Sequence, residues 1–216
     1  MKNLIIIGAG GFGREFFWHA RESIGYGTEF KIGGYIEDFR PETEEKSVLQ
    51  VPIISSIDDY QVSINDVFVC AISDVNVKEA CIEKIKKKNG EFISVIHRSA
   101  IVYPSSRIGE GVIIAPNCVV TDNVSVGNHV MINIHSMVGH DAMIGDYSSI
   151  MSYVNITGRC KIGRKVFLAS GVQMSPLTTI GDQGYAGIGS VVLKNVNPGV
   201  KVFGNPARII EMNDRI

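Results

Sequence analysis

The sequence predicts an α/β plus β protein. A small Rossmann-like parallel sheet spans residues 1–97, a parallel β-helix of hexapeptide repeats spans 98–200, and a tail over 201–216 caps the β-helix. Three observations predict it. Apolar residues recur at every sixth position from Val102, Ile108 and Ile114 onward to Val192, sixteen places without exception. The segment Gly8-Ala9-Gly10-Gly11-Phe12-Gly13 follows a short apolar run and opens a helical pattern. Strand and helix patterns then alternate to about residue 97, which implies parallel pairing.

The hexads carry the larger part. With 45% of the chain apolar, sixteen consecutive hits arise by chance with a probability on the order of 10⁻⁶ per phase. A period of six fits neither a helix nor a simple strand. It is the mark of short strands stacked in one dimension, none of which buries a face alone. Four residues after each marker stands a small or β-branched residue, such as Ser106, Cys118, Ser136 or Val154. Both positions are expected to fill a narrow interior. Glycine follows the marker at 109, 127, 139, 145, 163, 181 and 187, which reads as permitting a tight corner that a Cβ would obstruct. A β-sandwich with accidental regularity is disfavoured, because sandwiches vary their loop lengths and this run has no insertion.

In the first part, strands are expected at 4–7, 30–36, 51–54, 67–72 and 92–96, with helices at 14–23 and about 74–88. The glycines at 8, 10 and 13 form a GxGxxG in the setting where backbone approaches a diphosphate at a helix N-terminus. Glu37-Asp38 lies about where a ribose-binding acid is expected. The segment has room for one mononucleotide-binding half, so a nucleotide-linked sugar fits better than a nicotinamide dinucleotide. The alternative is that the glycines only permit close packing.

Composition narrows the classes. A net charge of −1 with 20% charged residues offers no surface for a polyanion, so nucleic acid is not an expected partner. The basic run at 84–88 reads as a solvated helix end. No apolar run approaches the roughly 18 residues of a membrane span, and the apolar start is too short for a signal segment. Cys70, Cys81, Cys118 and Cys160 form no CxxC and read as reduced core residues of a cytoplasmic protein.

Histidine is the natural general base near neutral pH. His19 and His97 read as structural. His129 and His135 share one hexad slot on different sides of the prism. His140 stands two residues past a marker and should point outward, next to Asp141. Gly158 follows His140 by 18 residues, one coil of three hexads, and should stack on it.

The opening Ile7-Gly8-Ala9-Gly10-Gly11-Phe12-Gly13-Arg14-Glu15, the pairs Glu37-Asp38 and His140-Asp141, and the ending Gly204-Asn205-Pro206-Ala207-Arg208 carry a resemblance over nearly the whole chain. They resemble the bacterial sugar acetyltransferases of the sialic acid O-acetyltransferase and UDP-4-amino-sugar N-acetyltransferase group. The resemblance implies a left-handed β-helix and a homotrimer with acetyl-CoA between subunits. It implies a nucleotide-linked sugar held by the first domain, at Gly10, Gly11, Phe12, Glu37 and Asp38. It assigns His140 as general base, Asp141 as its orienting partner, Asn133 and Ser149 to the acceptor side, and the Gly158 N–H to the thioester oxygen. Ser170, Gly187, Ile188 and Gly189 would line acetyl-CoA, with no metal needed.

The implied reaction is acetyl transfer to the amino group of a nucleotide-linked amino sugar in surface glycan biosynthesis. One alternative is O-acetylation of sialic acid or another sugar hydroxyl. Another is a non-catalytic sugar-nucleotide-binding protein. Phe12 and Ser149 depart from relatives that carry histidines at these places. A zinc enzyme on the same scaffold, using the HxxxxH spacing of His135 and His140, lacks a well-placed third ligand.

Overall fold

The computed structural model describes residues 1–38 and 48–210. The chain divides into two compact units, Met1–Arg98 and Ser99–Ile216. The predicted class, a small parallel sheet followed by a left-handed parallel β-helix, is the observed one.

In the first unit the elements run β1 (Lys2–Ile7), α1 (Gly11–Arg21), β2 (Phe30–Ile36), β3 (Ile53–Ser55), β4 (Asp66–Cys70), α2 (Val75–Lys86) and β5 (Glu91–Phe92). The sheet order is β3-β2-β1-β4-β5, with every pair parallel. The order reverses between β1 and β4, and such a switch point leaves a crevice beyond the carboxyl ends of the strands. Leu4, Ile6, Ile7, Phe16, Tyr35 and Phe68 are fully buried. The runs Leu4 to Ile7 and Val67 to Val69 are apolar throughout, as a sheet covered on both faces requires. α2 starts where Asp74 Oδ1 accepts the N–H groups of Asn76 and Val77, both at 2.9 Å. The helix expected at 14–23 begins three residues earlier. Of the strand expected at 92–96, only Glu91–Phe92 joins this sheet.

The second unit is a three-sided stack. Its first face comprises Ile101–Val102, Val119–Val120, Met137–Val138, Asn155–Ile156, Gln173–Met174 and Val191–Val192. The second face starts at Arg107–Ile108 and runs through Ser125–Val126, Met143–Ile144 and Lys161–Ile162 to Thr179–Ile180. The third includes Ile113–Ile114, Met131–Ile132, Ser149–Ile150, Phe167–Leu168 and Tyr185–Ala186. Every pairing among these strands joins residues 18 apart, as Val120 to Val138 and Ile132 to Ile150. The markers from Ile114 to Val192 are at most 3% exposed, while Val102 and Ile108 at the starting end are half-buried. The small residues behind them are buried too. Where polar, they are satisfied: Ser148 Oγ donates to Gly163 O at 2.9 Å and accepts from Val166 N at 3.0 Å.

One expectation is corrected. The left-handed corner falls at the third residue after each marker from Ile108 to Ala186, and glycine is not required there. Asn123, His129, His135, Asp141, Tyr147, Arg159 and Leu177 all adopt φ between 53° and 66° at these corners. At the glycine directly after the marker a Cβ is obstructed, as expected, although the corner itself lies two residues further on. A Cβ on Gly139 would lie 2.7 Å from the Gly158 nitrogen, and one on Gly145 2.6 Å from the Gly163 carbonyl carbon. Coils about 4.8 Å apart leave no room for a methyl between them.

In the tail, Lys201–Phe203 pairs in parallel with Tyr185–Ala186, and Arg208–Ile209 folds back antiparallel to it. Residues 211–216 of the expected cap lie outside the described residues. The four cysteines are free and buried.

Candidate active site

The edge between the first and second faces carries the predicted acid–base pair. His140 Nδ1 lies 2.9 Å from Asp141 Oδ2, with the imidazole 59% exposed. Asp141 occupies a left-handed corner (φ 59°), a conformation Asp and Asn accept more readily than most residues. A carboxylate only accepts hydrogen bonds, so this contact assigns the proton to Nδ1 and leaves Nε2 as the free basic atom. The hydrogen bond to His140, and a second from Asn123 Nδ2 at 2.8 Å, pull the Asp141 carboxyl down to about 2.

A pH prediction follows from that sign. A depressed carboxyl is charged at and above its ordinary value near 3.9, and its pairing is lost only as pH falls through about 2. Followed by carboxyl ¹³C NMR, Asp141 should keep its charge through pH 3.5. A midpoint near 4 would mean the pair is not formed in solution.

Gly158 stands one coil beyond His140, directly against the ring. A Cβ there would lie 2.5 Å from His140 Nε2 and 2.8 Å from Cε1. Its N–H also differs from those on the next edge. There, the N–H groups of Glu110, Asn128 and Arg164 are taken by Oδ1 of Asn128, Asp146 and Asp182, each one coil onward. One coil beyond Gly158 the residue is Pro176, whose side chain cannot accept. The structure thus brings together a basic ring nitrogen and a backbone donor with no side-chain cap from the following coil.

The residues expected along the donor lie on another edge, between the third and first faces. Ser170 O accepts from Gly189 N at 2.9 Å, Ile188 is 66% exposed, and Gly189 has open space where a Cβ would stand. Gly187 is packed against Phe203. Asn133 is 4% exposed and its Oδ1 accepts from Ile134 N at 2.7 Å. Ser149 is fully buried. One prism therefore does not bring His140 together with Ser170, Ile188 and Gly189.

In the first unit the three glycines divide their work. Gly8 (φ 101°) has Ile72 Cγ1 2.8 Å from where a Cβ would be, and at Gly13 a Cβ would strike Gly8 O. Gly10 and Gly11 are exposed with open space around them. Gly10 is the N-cap of α1 and supplies no side-chain cap, and the first turn holds no acid. Its leading N–H groups are oriented for an anion. Glu37 Oε2 accepts from Ala9 N at 3.0 Å and so braces this loop. Asp38 is already engaged: Oδ1 accepts from Ile57 N and Oδ2 from Lys84 Nζ, both at 2.8 Å. Partial burial alone would raise its carboxyl, but Lys84 and the Ile57 N–H hold it below the ordinary value. Phe12 is half-buried, 6.3 Å from Phe16 between ring centres.

His19 and His97 pack at 6.3 Å, and burial, with His97 nearby, pushes His19 down to about 4. His129 lies against Tyr147 and His135 stacks on Tyr153 at 4.9 Å, each on its own edge away from His140. Among the described residues no group of three His, Cys, Asp or Glu could hold a metal ion. Sequence reasoning missed three residues. Lys78 is 1% exposed in α2, and burial pushes it down to about 8. The helical spacing of Lys78, Cys81, Ile82 and Ile85 would have turned it inward. Asn123 and Arg159 flank Asp141 at minus and plus 18, a spacing the coil length itself supplies.

The fold and this edge define a hexapeptide β-helix protein joined to a small parallel α/β domain. Residues 3–85 match a family described as the PglD N-terminal domain. The chain is 30% identical over 115 residues to the UDP-N-acetylbacillosamine N-acetyltransferase of Bacillus subtilis, covering 53% of this chain and 51% of that protein. It spans no more than about half the length of the curated relatives it matches. The acetyltransferase domain of PglB from Neisseria gonorrhoeae, solved with acetyl coenzyme A, superposes with a TM-score of 0.85 at 25% identity, over 97% of this chain and 99% of that one. PerB from Caulobacter crescentus, solved with CoA and GDP-perosamine, shares the fold (TM-score 0.86, 24% identity, 98% of each chain). The resemblance to sugar acetyltransferases of the hexapeptide β-helix group thus holds in both units.

Proposed function

We propose that this chain is an acetyl-CoA-dependent acetyltransferase acting on the amino group of a nucleotide-linked amino sugar, with His140 as general base. The observation that carries the reading is the His140–Asp141 pair at 2.9 Å with Gly158 directly against the imidazole on an exposed edge. Acetyl-CoA would supply an acetyl thioester. The acceptor nitrogen bonds to the acetyl carbon, the carbon–sulfur bond breaks, and the proton passes through His140 Nε2 to the departing sulfur. The Gly158 N–H donates to the carbonyl oxygen as it gains charge. Asp141 keeps the proton on Nδ1.

The glycine loop at Gly10 and Gly11, with Phe12 and Glu37, would hold the nucleotide sugar at the N-terminus of α1. Asp38 would contribute through its brace with Lys84. A homotrimer with the donor between subunits accounts for His140 and the Ser170, Ile188 and Gly189 set lying on different edges of one prism. The cytoplasm and surface glycan biosynthesis are the setting this reading implies.

The test is thiol release from acetyl-CoA with a panel of nucleotide-linked 4-amino sugars and free sialic acids, beside His140→Ala. Release with an amino sugar, reduced about 10²–10⁴-fold in the variant, is expected. Release with a sialic acid alone would replace N- by O-acetylation. Binding of both ligands with no release from any acceptor would overturn the enzymatic reading.

A further inference from the structure

Three successive left-handed corners on the catalytic edge, Asn123, Asp141 and Arg159, stand directly above one another, 18 residues apart. Asn123 Nδ2 donates to Asp141 Oδ1 at 2.8 Å. The amide orientation is unambiguous, because a carboxylate cannot donate. The Asn123 backbone N–H is itself fixed by Ser105 Oγ at 3.1 Å. On the other side, Arg159 Nε lies 3.6 Å from Asp141 Oδ2, the oxygen that faces His140. Arg159 N donates to His140 O at 2.8 Å, which ties this rung to the base. The carboxylate is therefore gripped from the coil before and the coil after.

We propose that Asn123 and Arg159 are positioning residues for the acetyl transfer, holding the Asp141 carboxylate so that His140 keeps its proton on Nδ1 and presents Nε2. The inference rests on His140 being the base. Without Asn123, the carboxylate can rotate about its terminal torsion, which has only a broad preference, and the neutral imidazole is free to exchange tautomers. The charged groups around His140 are Asp141 beside it, Asp122 one coil before it, and Arg159 one coil after. Asp122 is held by Ser105, whose Oγ donates to it at 2.6 Å.

The effect is the same for both partners. The Asn123 donor and the Arg159 cation each draw charge from Asp141. Removing either leaves the carboxylate less firmly held against His140 Nδ1.

The experiment uses selectively ¹⁵N-histidine-labelled full chain, read by NMR, for Asn123→Gly, Asn123→Asp, Arg159→Gln and Arg159→Lys. Glycine keeps the left-handed corner, and Asp keeps the shape but replaces the donor by an acceptor. In the unchanged protein the neutral His140 ring should be the Nδ1–H tautomer. In Asn123→Gly both tautomers should appear. Asn123→Asp, which repels the Asp141 carboxylate, should give the same mixture.

Arg159→Gln should move the ring toward that mixture at low salt, and the difference from the unchanged protein should shrink at 1 M salt, where the screening length is about 3 Å. Arg159→Lys should restore the single tautomer. In the thiol-release assay kcat should fall about 10-fold for Asn123→Gly, a part of what general-base catalysis supplies, with KM for acetyl-CoA unchanged. An unchanged tautomer in Asn123→Gly and Arg159→Gln, with His140→Ala inactive, would overturn this inference alone. Full turnover in His140→Ala would overturn the base assignment and this inference with it.

Discussion

A single methyl at position 158 is expected to cost this protein about 10²–10³-fold in turnover while leaving its fold in place. The added Cβ of Gly158→Ala would lie 2.5 Å from His140 Nε2 and 2.8 and 3.0 Å from two ring carbons. The imidazole must swing outward, and its hydrogen bond to Asp141, 2.9 Å in the native chain, cannot survive the rotation. A displaced base loses most of what general-base catalysis and alignment supply. Backbone strain contributes little, because Gly158 lies outside the left-handed region. The midpoint of thermal unfolding should therefore move by only a few degrees. Near-native turnover with the methyl present would show that the base acts from another position, and a collapse of stability would show that the site was not what the methyl disturbed.

Ile150→Ala is expected to have the largest effect on stability, about 2–5 kcal/mol. Ile150 is fully buried and pairs with Ile132 and Leu168 on the coils to either side. Each coil is stabilised only through its neighbours, so a hole at mid-stack weakens two contacts at once. Ile108 has the same place in its hexad but is half-buried and has a paired coil on one side only. Ile108→Ala should cost about 1 kcal/mol. Guanidinium unfolding at one fixed protein concentration separates the two, since any assembly would make stability concentration-dependent. Equal losses at both positions would contradict a one-dimensional stack.

The β-helix was legible because its interior repeats a single chemical requirement at a fixed spacing. An apolar marker and a small residue four places later are both buried from Ile114 onward. Where the corner falls was not legible from the same pattern. The glycine after the marker leaves no room for a Cβ, but the left-handed residue stands two places further on, as Asp141 does after Gly139. His140-Asp141 could be read from adjacent residues. Asn123 and Arg159 could not be, because their relation to Asp141 exists only once the coil length places them on one edge. Glu37-Asp38 was read as one acidic unit. The structure separates them, with Glu37 bracing the glycine loop and Asp38 tied to Lys84 and Ile57.

The 18-residue coil makes position on this molecule a matter of modular arithmetic. His140 and Gly158 are neighbours because their numbers differ by one full coil, and Arg159 meets Asp141 for the same reason. Inserting one extra hexad between 140 and 158 would leave every marker buried and every strand paired. It would also carry Gly158 round to a different edge of the prism. Inserting three hexads would return it to the same edge one rung further along, about 4.8 Å away. Stability in this architecture counts in sixes, while chemistry counts in eighteens, so a change in length can be silent to the first and decisive for the second.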